Sequence, residues 1–259
     1  MTQLSTLDVS NAELIAQMLG KISGGRVLDV CTGKGRFISL LMKTLKDYTE
    51  FVGVDISIQD LEAAQENLQK QPVQLLKMRA EKLAFEQGEF DTVCIANSLH
   101  HLIDVPTVLG EMKRVLRPGG WFIVKEMYQG GNQSEAQLTE ILEHHWTAKI
   151  DRASGIFHNE TLTCQQIQEY LEYLGLWTIT IFDTSWSVKC LFCSSKTDCE
   201  NPKSQKVLEM FFDGIDENLE RLKEIEGGKS FWAEGNQLKE RAKQVGVSNA
   251  SSLFIIGRK

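Results

Sequence analysis

The sequence predicts an α/β fold: a mostly parallel sheet with helices on both faces. Three observations carry that reading. Short β-branched runs alternate with amphipathic helical stretches through the first half; an apolar strand ends in a glycine-bearing loop that opens a helix at once; and a later helix is stopped by Pro118-Gly119-Gly120 before a further apolar run.

Each element follows from local chemistry. Residues 26–31 (RVLDVC) form a first strand, and Phe37, Leu40, Leu41 and Leu45 give the next stretch helical spacing. Residues 51–55 form a second strand, after which Ser57 and Asp60 supply an S-x-x-D cap for a helix through Leu61, Ala64 and Leu68. Residues 73–78 and 91–97 read as strands three and four. A helix through Val108, Leu109, Met112, Val115 and Leu116 follows, ended where proline cannot continue it, and residues 121–126 form strand five. Beyond Gly130-Gly131-Asn132 the pattern is less regular. Leu138, Ile141 and Leu142 mark a helical insert, and Thr163 with Gln166 caps a helix closing at Gly175. A sixth strand covers 177–182, a long helix runs through Val207, Phe211, Ile215, Leu219 and Leu222 to Gly227-Gly228, and a seventh strand covers 253–256. The expected organisation is one domain over 1–259, with a cofactor-binding core over about 20–127 and lid insertions over about 128–160 and 185–248.

Composition narrows the function. The 259 residues carry a formal charge of −7, which argues against broad nucleic-acid binding because that requires a basic face. No stretch approaches the roughly 20 continuous apolar residues of a membrane span, and Met1 to Ser10 lack the blocks of a secretion signal. Six scattered cysteines then fit a reducing cytoplasm, where the chain is expected to act.

The sharpest chemical signal is VLDVCTGKGRF, residues 27–37. Its glycines let a ligand approach the backbone, and the following helix presents unsatisfied N–H groups and a positive dipole end. Asp29 is placed to hold the loop amides or to accept from a ligand ammonium. Asp55, 20 residues after Gly35 at the end of strand two, can accept both hydroxyls of a ribose. Together they predict a nucleoside-bearing ligand. A dinucleotide loop needs a third glycine where this chain has Ile38, and no Gly-Lys-Ser/Thr phosphate loop occurs.

Five motifs in order then resemble the class I S-adenosylmethionine-dependent methyltransferases, a Rossmann-like family in which an antiparallel seventh strand finishes a seven-stranded sheet, and within it the type 11 branch of ubiquinone and menaquinone biosynthesis methylases. They are VLDVCTGKGRF, FVGVDIS, MRAEKLAF, FDTVCIANSLHHL and VLRPGGWFIV, spanning about Val27 to Met127. The resemblance implies S-adenosyl-L-methionine as cofactor, with Asp29, Cys31, Gly33 and Gly35 around its methionine end, Asp55 on the ribose, and Ile56 on the adenine. It also implies the Ala80–Glu81 backbone at the adenine edge, and Asn97 with Leu99 beside the methyl. Two positions depart from the family: Cys31 replaces the usual first glycine, and Arg79 replaces an aspartate before the Ala-Glu pair, where Glu81 is a substitute partner. The implied activity is methyl transfer to a small-molecule acceptor, with a homodimer allowed for. His100 and His101, just after strand four, are the candidates for a general base or an acceptor-orienting group. The rival readings are a nicotinamide oxidoreductase and a catalytically silent nucleoside-binding protein.

His144, His145, Asp151 and His158 raise a metal hypothesis. Neighbouring histidines on a helix point about 100° apart and do not readily share an ion, so a lid over the acceptor pocket is expected and no metal site. Cys190 and Cys193, with Cys199, have chelate-like spacing, but an odd separation on a strand puts the first two on opposite faces. They are expected to be plain thiols.

Overall fold

In the computed structural model, which describes residues 11–69, 71–184 and 201–259, the expected sheet is present. Its strands are β1 (Arg26–Val30), β2 (Glu50–Asp55), β3 (Val73–Lys77), β4 (Phe90–Ala96), β5 (Leu116–Gln129), the short β6 (Leu162–Thr163), β7 (Trp177–Asp183) and β8 (Ser252–Arg258). The main path runs β3-β2-β1-β4-β5-β8-β7, and β6 pairs with β5 off it. Strands β1 to β5 are parallel along this path, while β8 is antiparallel to both β5 and β7.

The first strands are apolar on both faces because both faces are covered. Val27, Phe51 and Cys94 join a cluster with Ile15 and Leu19 of α1 (Asn11–Leu19), Phe37 and Leu41 of α2 (Arg36–Thr44), and Ala64 of α3 (Ile58–Asn67). Their sequence neighbours Leu28, Val52 and Val93 point the other way. They pack with Val108 and Met112 of α4 (Val105–Val115) and Ile167 and Leu171 of α6 (Cys164–Tyr173). The helix caps behave as their sequences predict. Ser57 Oγ accepts from the Asp60 amide at 3.1 Å, and Thr163 with Gln166 closes a full capping box.

A second layer of helices stands apart. The long α5 (Glu135–Ala153) follows β5, whereas α7 (Gln205–Arg221) and α8 (Trp232–Val245) come from the connection between β7 and β8. The three share their own core of Trp146, Ile150, Ile215, Leu219, Leu222 and Leu238. The Trp146 indole N–H donates to the Phe231 carbonyl at 2.9 Å.

Three differences from the sequence expectation matter. Strand β5 covers Leu116–Gln129, wider at both ends than the expected 121–126, and takes Leu116 from the expected helix. The sequence reading includes neither α1, a short helix whose apolar Ala12, Ile15 and Leu19 are buried, nor α8, a largely polar helix with Gly235 inside it and no broad apolar stripe. Cys190, Cys193, Cys199 and Trp186 lie outside the described residues.

Candidate functional site

The site is built at the carboxyl ends of β1, β2 and β4, where ligands bind in open α/β sheets. The loop after β1 enters the left-handed region at Cys31 (φ 57°) and again at Gly33 and Gly35. A non-glycine residue there is sterically costly, and Asn97 (φ 48°), after β4, is held in the same way. Only one other described non-glycine residue, Thr178, has a positive φ, so the strained backbone concentrates at this edge of the sheet.

Asp55 organises the loop. Its Oδ2 accepts from the Gly33 amide at 2.8 Å and its Oδ1 from the Ser57 amide at 2.9 Å. The carboxylate is half-exposed, and each oxygen retains a lone pair for a further donor. A Cβ on Gly33 would meet nothing within 4 Å, so open space lies over the loop beside this carboxylate. Gly35, by contrast, faces α3: a Cβ there would come within 2.6 Å of Leu68 Cδ1. Ile56, next to Asp55, is 60% exposed, an apolar platform at the rim. An acidic acceptor, an open glycine and a bare apolar side chain fit the ribose, the amino-acid tail and the base of S-adenosylmethionine.

Asp29 takes a different part from the one expected. It does not hold the loop amides; buried at 1% exposure, it accepts from Thr32 Oγ1 at 3.0 Å and Cys94 Sγ at 3.3 Å. Burial pushes its pKa up to about 7, against the lowering effect of those two donors. Burial likewise pushes the Cys31 thiol upward, with Asp55 and Asp29 adding to the effect. The Leu99 side chain is buried in the sheet core, and its amide donates to Glu126 at 3.0 Å. Asn97 is exposed, its side-chain oxygen accepting from Lys125 at 2.9 Å. Ala80 is buried, and Glu81 is engaged by Arg79 at 3.0 Å. The residue that departs from the family thus sits on the one proposed to replace it.

Glu126, on β5, was not singled out from the sequence. Fully buried, it accepts from the Ser98 and Leu99 amides at 2.9 and 3.0 Å, and its other oxygen meets His100 Nδ1 at 2.5 Å. The available signal was the strand alternation, which puts Glu126 on the same buried face as Phe122 and Val124, where a carboxylate needs partners. His100 is itself buried at 1%. His101 keeps an exposed edge, yet the packing around its ring and the neighbouring His100 and His158 lower its pKa to about 3. At neutral pH it is an uncharged ring and a weak base.

The insertion reaches the same place. The Asn159 amide donates to the His100 carbonyl at 2.9 Å, His144 and His158 approach to 3.0 Å through their Nε2 atoms, and His101 and His158 lie with ring centroids 3.9 Å apart. His145 turns away to Thr161, as the angular argument for adjacent histidines expects.

Comparison with known proteins follows this geometry. Residues 28–124 match the family model described as a methyltransferase domain. A demethylmenaquinone methyltransferase of Lactococcus lactis subsp. lactis is 35% identical over 116 residues, 44% of this chain and 46% of the relative. One of Staphylococcus aureus is 36% identical over 112 residues, 43% of this chain and 46% of the relative. The chain thus spans about half the length of these relatives. Among solved structures, phosphoethanolamine N-methyltransferase 2 of Haemonchus contortus, in complex with S-adenosyl-L-methionine, superposes with a TM-score of 0.56 at 18% identity, covering 96% of this chain and 52% of that one. The YcgJ protein of Bacillus subtilis gives 0.53 at 17% identity, covering 96% and 97%. These two likenesses establish the fold.

Proposed function

We propose, from the premise that residues 28–124 form a class I S-adenosylmethionine-dependent methyltransferase domain, that this chain transfers a methyl group to a small-molecule acceptor by in-line displacement. The observation that carries the reading is the half-exposed Asp55 carboxylate beside the open face of Gly33. The bound cofactor supplies an electrophilic methyl on a sulfonium leaving group. What remains for the chain is to hold the sugar on Asp55, orient the acceptor and exclude water. Orientation alone contributes up to about 7–11 kcal/mol in well-aligned systems.

His101 and the buried His100 form the acceptor side. His100 is oriented by Glu126, and His101, neutral and weakly basic, suits hydrogen bonding to an acceptor better than taking its proton. Exposed Ile103, Ile156 and Phe157 adjoin the histidines in sequence and favour an acceptor with an apolar body. The relatives named for methylating demethylmenaquinone are consistent with that class. Residues 130–160 and 201–248 act as the lid over this acceptor. No described helix is long and apolar enough to cross a membrane, and Cys31, Cys94 and Cys164 are free thiols, which supports action in the cytoplasm.

Calorimetry with S-adenosylmethionine, S-adenosylhomocysteine and NAD tests the cofactor. The first two are expected to bind and NAD is not; the reverse result overturns the reading. Asp55→Asn is expected to weaken S-adenosylmethionine binding by about 1.5–3 kcal/mol, tenfold or more, through loss of a charged acceptor. Turnover of a labelled methyl on a panel of quinone-precursor and amine acceptors tests the reaction. There His101→Ala is expected to lower kcat while cofactor affinity holds; equal rates in variant and parent reject its role.

A further inference from the structure

Outside the cofactor cleft, the densest gathering of metal-ligating groups among the described residues is His100, His101, His144 and His158. One donor atom from each lies within 4.8 Å of every other. Two come from the turn after β4 and two from α5 and the segment following it, so the cluster bridges sheet and helical layer. We infer that these four imidazoles form a binding site for a first-row transition-metal ion of the zinc class, joining the helical insertion to the sheet. The inference stands independently of the cofactor, but it shares His101 with the proposed acceptor side, where an ion would take the ring nitrogen otherwise offered to the acceptor.

The first support is an orphaned donor. With Nδ1 of His100 committed to Glu126, its Nε2 is buried with no hydrogen-bond partner among the described residues. Leaving a buried ring nitrogen unpaired is costly, and a cation answers that cost with a bond. The second support lies behind the rings. Metal-ligating histidines typically donate their other N–H to a carboxylate, which fixes the tautomer and raises ligand basicity. Here Glu126 stands behind His100 at 2.5 Å, and Asp151 stands behind His158 Nδ1 at 2.7 Å. Asp151 is held in turn by Arg221 of α7. With Nδ1 donating to Asp151, the His158 Nε2 lone pair faces His144.

Geometry and charge agree with the ion class. The 3.0 Å between the Nε2 atoms of His144 and His158 is shorter than the about 3.4 Å between nitrogens around a tetrahedral zinc, so binding requires ring pivots of about an ångström. Four imidazoles without a directly coordinating carboxylate suit zinc, copper or nickel and disfavour magnesium or calcium, which take oxygen ligands. The expectation that His144 and His145 cannot share an ion is respected, since His145 is excluded and His100 and His101 complete the set.

The test is equilibrium dialysis of the chelator-stripped full chain against Zn2+ alone, with Co2+ absorption as a spectroscopic report of four-coordinate nitrogen ligation. One ion per chain is expected. His144→Asn and His158→Asn are each expected to weaken Zn2+ binding at least tenfold, and Asp151→Asn to weaken it by about ten- to a hundredfold, the range for a lost outer partner. His145→Ala is expected to leave binding unchanged. Thermal unfolding of the same proteins verifies that each variant is folded, and added Zn2+ is expected to raise the parent's Tm but not that of the His144→Asn/His158→Asn double variant. Absence of stoichiometric binding overturns the inference. So does binding that survives the double variant, which would direct attention to Cys190, Cys193 and Cys199. Cofactor calorimetry on the same samples is a separate arm, so failure here and failure of the methyltransferase reading remain distinguishable.

Discussion

Asp29 lies between Gly53 of β2 and Cys94 of β4 in the register of the sheet and is cut off from water. Its environment contains donors that stabilise the anion, a hydroxyl and a thiol, but no cation among its strongest influences, so burial wins and the pKa rises to about 7. For an acid whose pKa is raised on folding, the stabilising contribution is complete below the unfolded value of 3.8 and is lost as pH rises through 7. Asp29→Asn removes this dependence. Urea melts of both proteins are expected to show the variant gaining on the parent between about pH 4 and pH 7 and holding a constant difference above. A constant difference across the whole range would mean that Asp29 does not titrate with folding. The same residue shows the limit of sequence reading. Its place at the end of a strand before a glycine loop was legible, but whether it turned towards ligand or core depended on Cys94, 65 residues away.

The elements were legible where local chemistry decides them. Strand–loop–helix order and the Ser57 and Thr163 caps follow from period, capping and turn residues, whereas the antiparallel last strand came only with the family resemblance. Helix α8 escaped because its stability comes from packing: a Cβ on Gly235 would lie 2.6 Å from Trp146, a contact between segments 89 residues apart in the chain. The histidine cluster escaped for the same reason. Its members lie in two distant stretches, two histidines in one and three in the other, and only the fold says which of the five imidazoles converge. The loop–helix junction after β1 depends on close approach as well as dihedral freedom. Gly35 has φ 75° and rests on Leu68 and Ala64 of the α3 region. Gly35→Ala is expected to destabilise the chain by about 1–3 kcal/mol, from left-handed strain and overpacking together, and to weaken S-adenosylmethionine binding as the loop shifts. Gly33→Ala keeps the strain without the clash, because its Cβ meets nothing. It is expected to cost less stability than Gly35→Ala while obstructing the open face where the ligand is proposed to lie. Equal stability losses in the two would remove helix packing from the account of Gly35.

At the scale of the molecule, two bodies of apolar packing meet at the carboxyl edge of the sheet. One is the sheet with α1–α4 and α6; the other is the small core around Trp146 shared by α5, α7 and α8. The connection between them runs largely through polar contacts: Asn159 to His100 and the histidine rings. Polar contacts of this kind contribute about 1 kcal/mol each, whereas an internal core resists removal of a large side chain by about 3–5 kcal/mol. The helical layer is therefore expected to open as a unit, as a lid must, while the sheet stays closed. Trp146→Ala is the decisive change, since it empties the centre of the smaller core and leaves the sheet untouched. Amide hydrogen exchange is expected to show α5, α7 and α8 losing protection together by several orders of magnitude, with β1, β4 and β5 keeping theirs. If the strands lose protection in step with the helices, the two bodies unfold as one. The helical layer would then be a fixed wall of the acceptor site, and its histidines would be held in place without help from an ion.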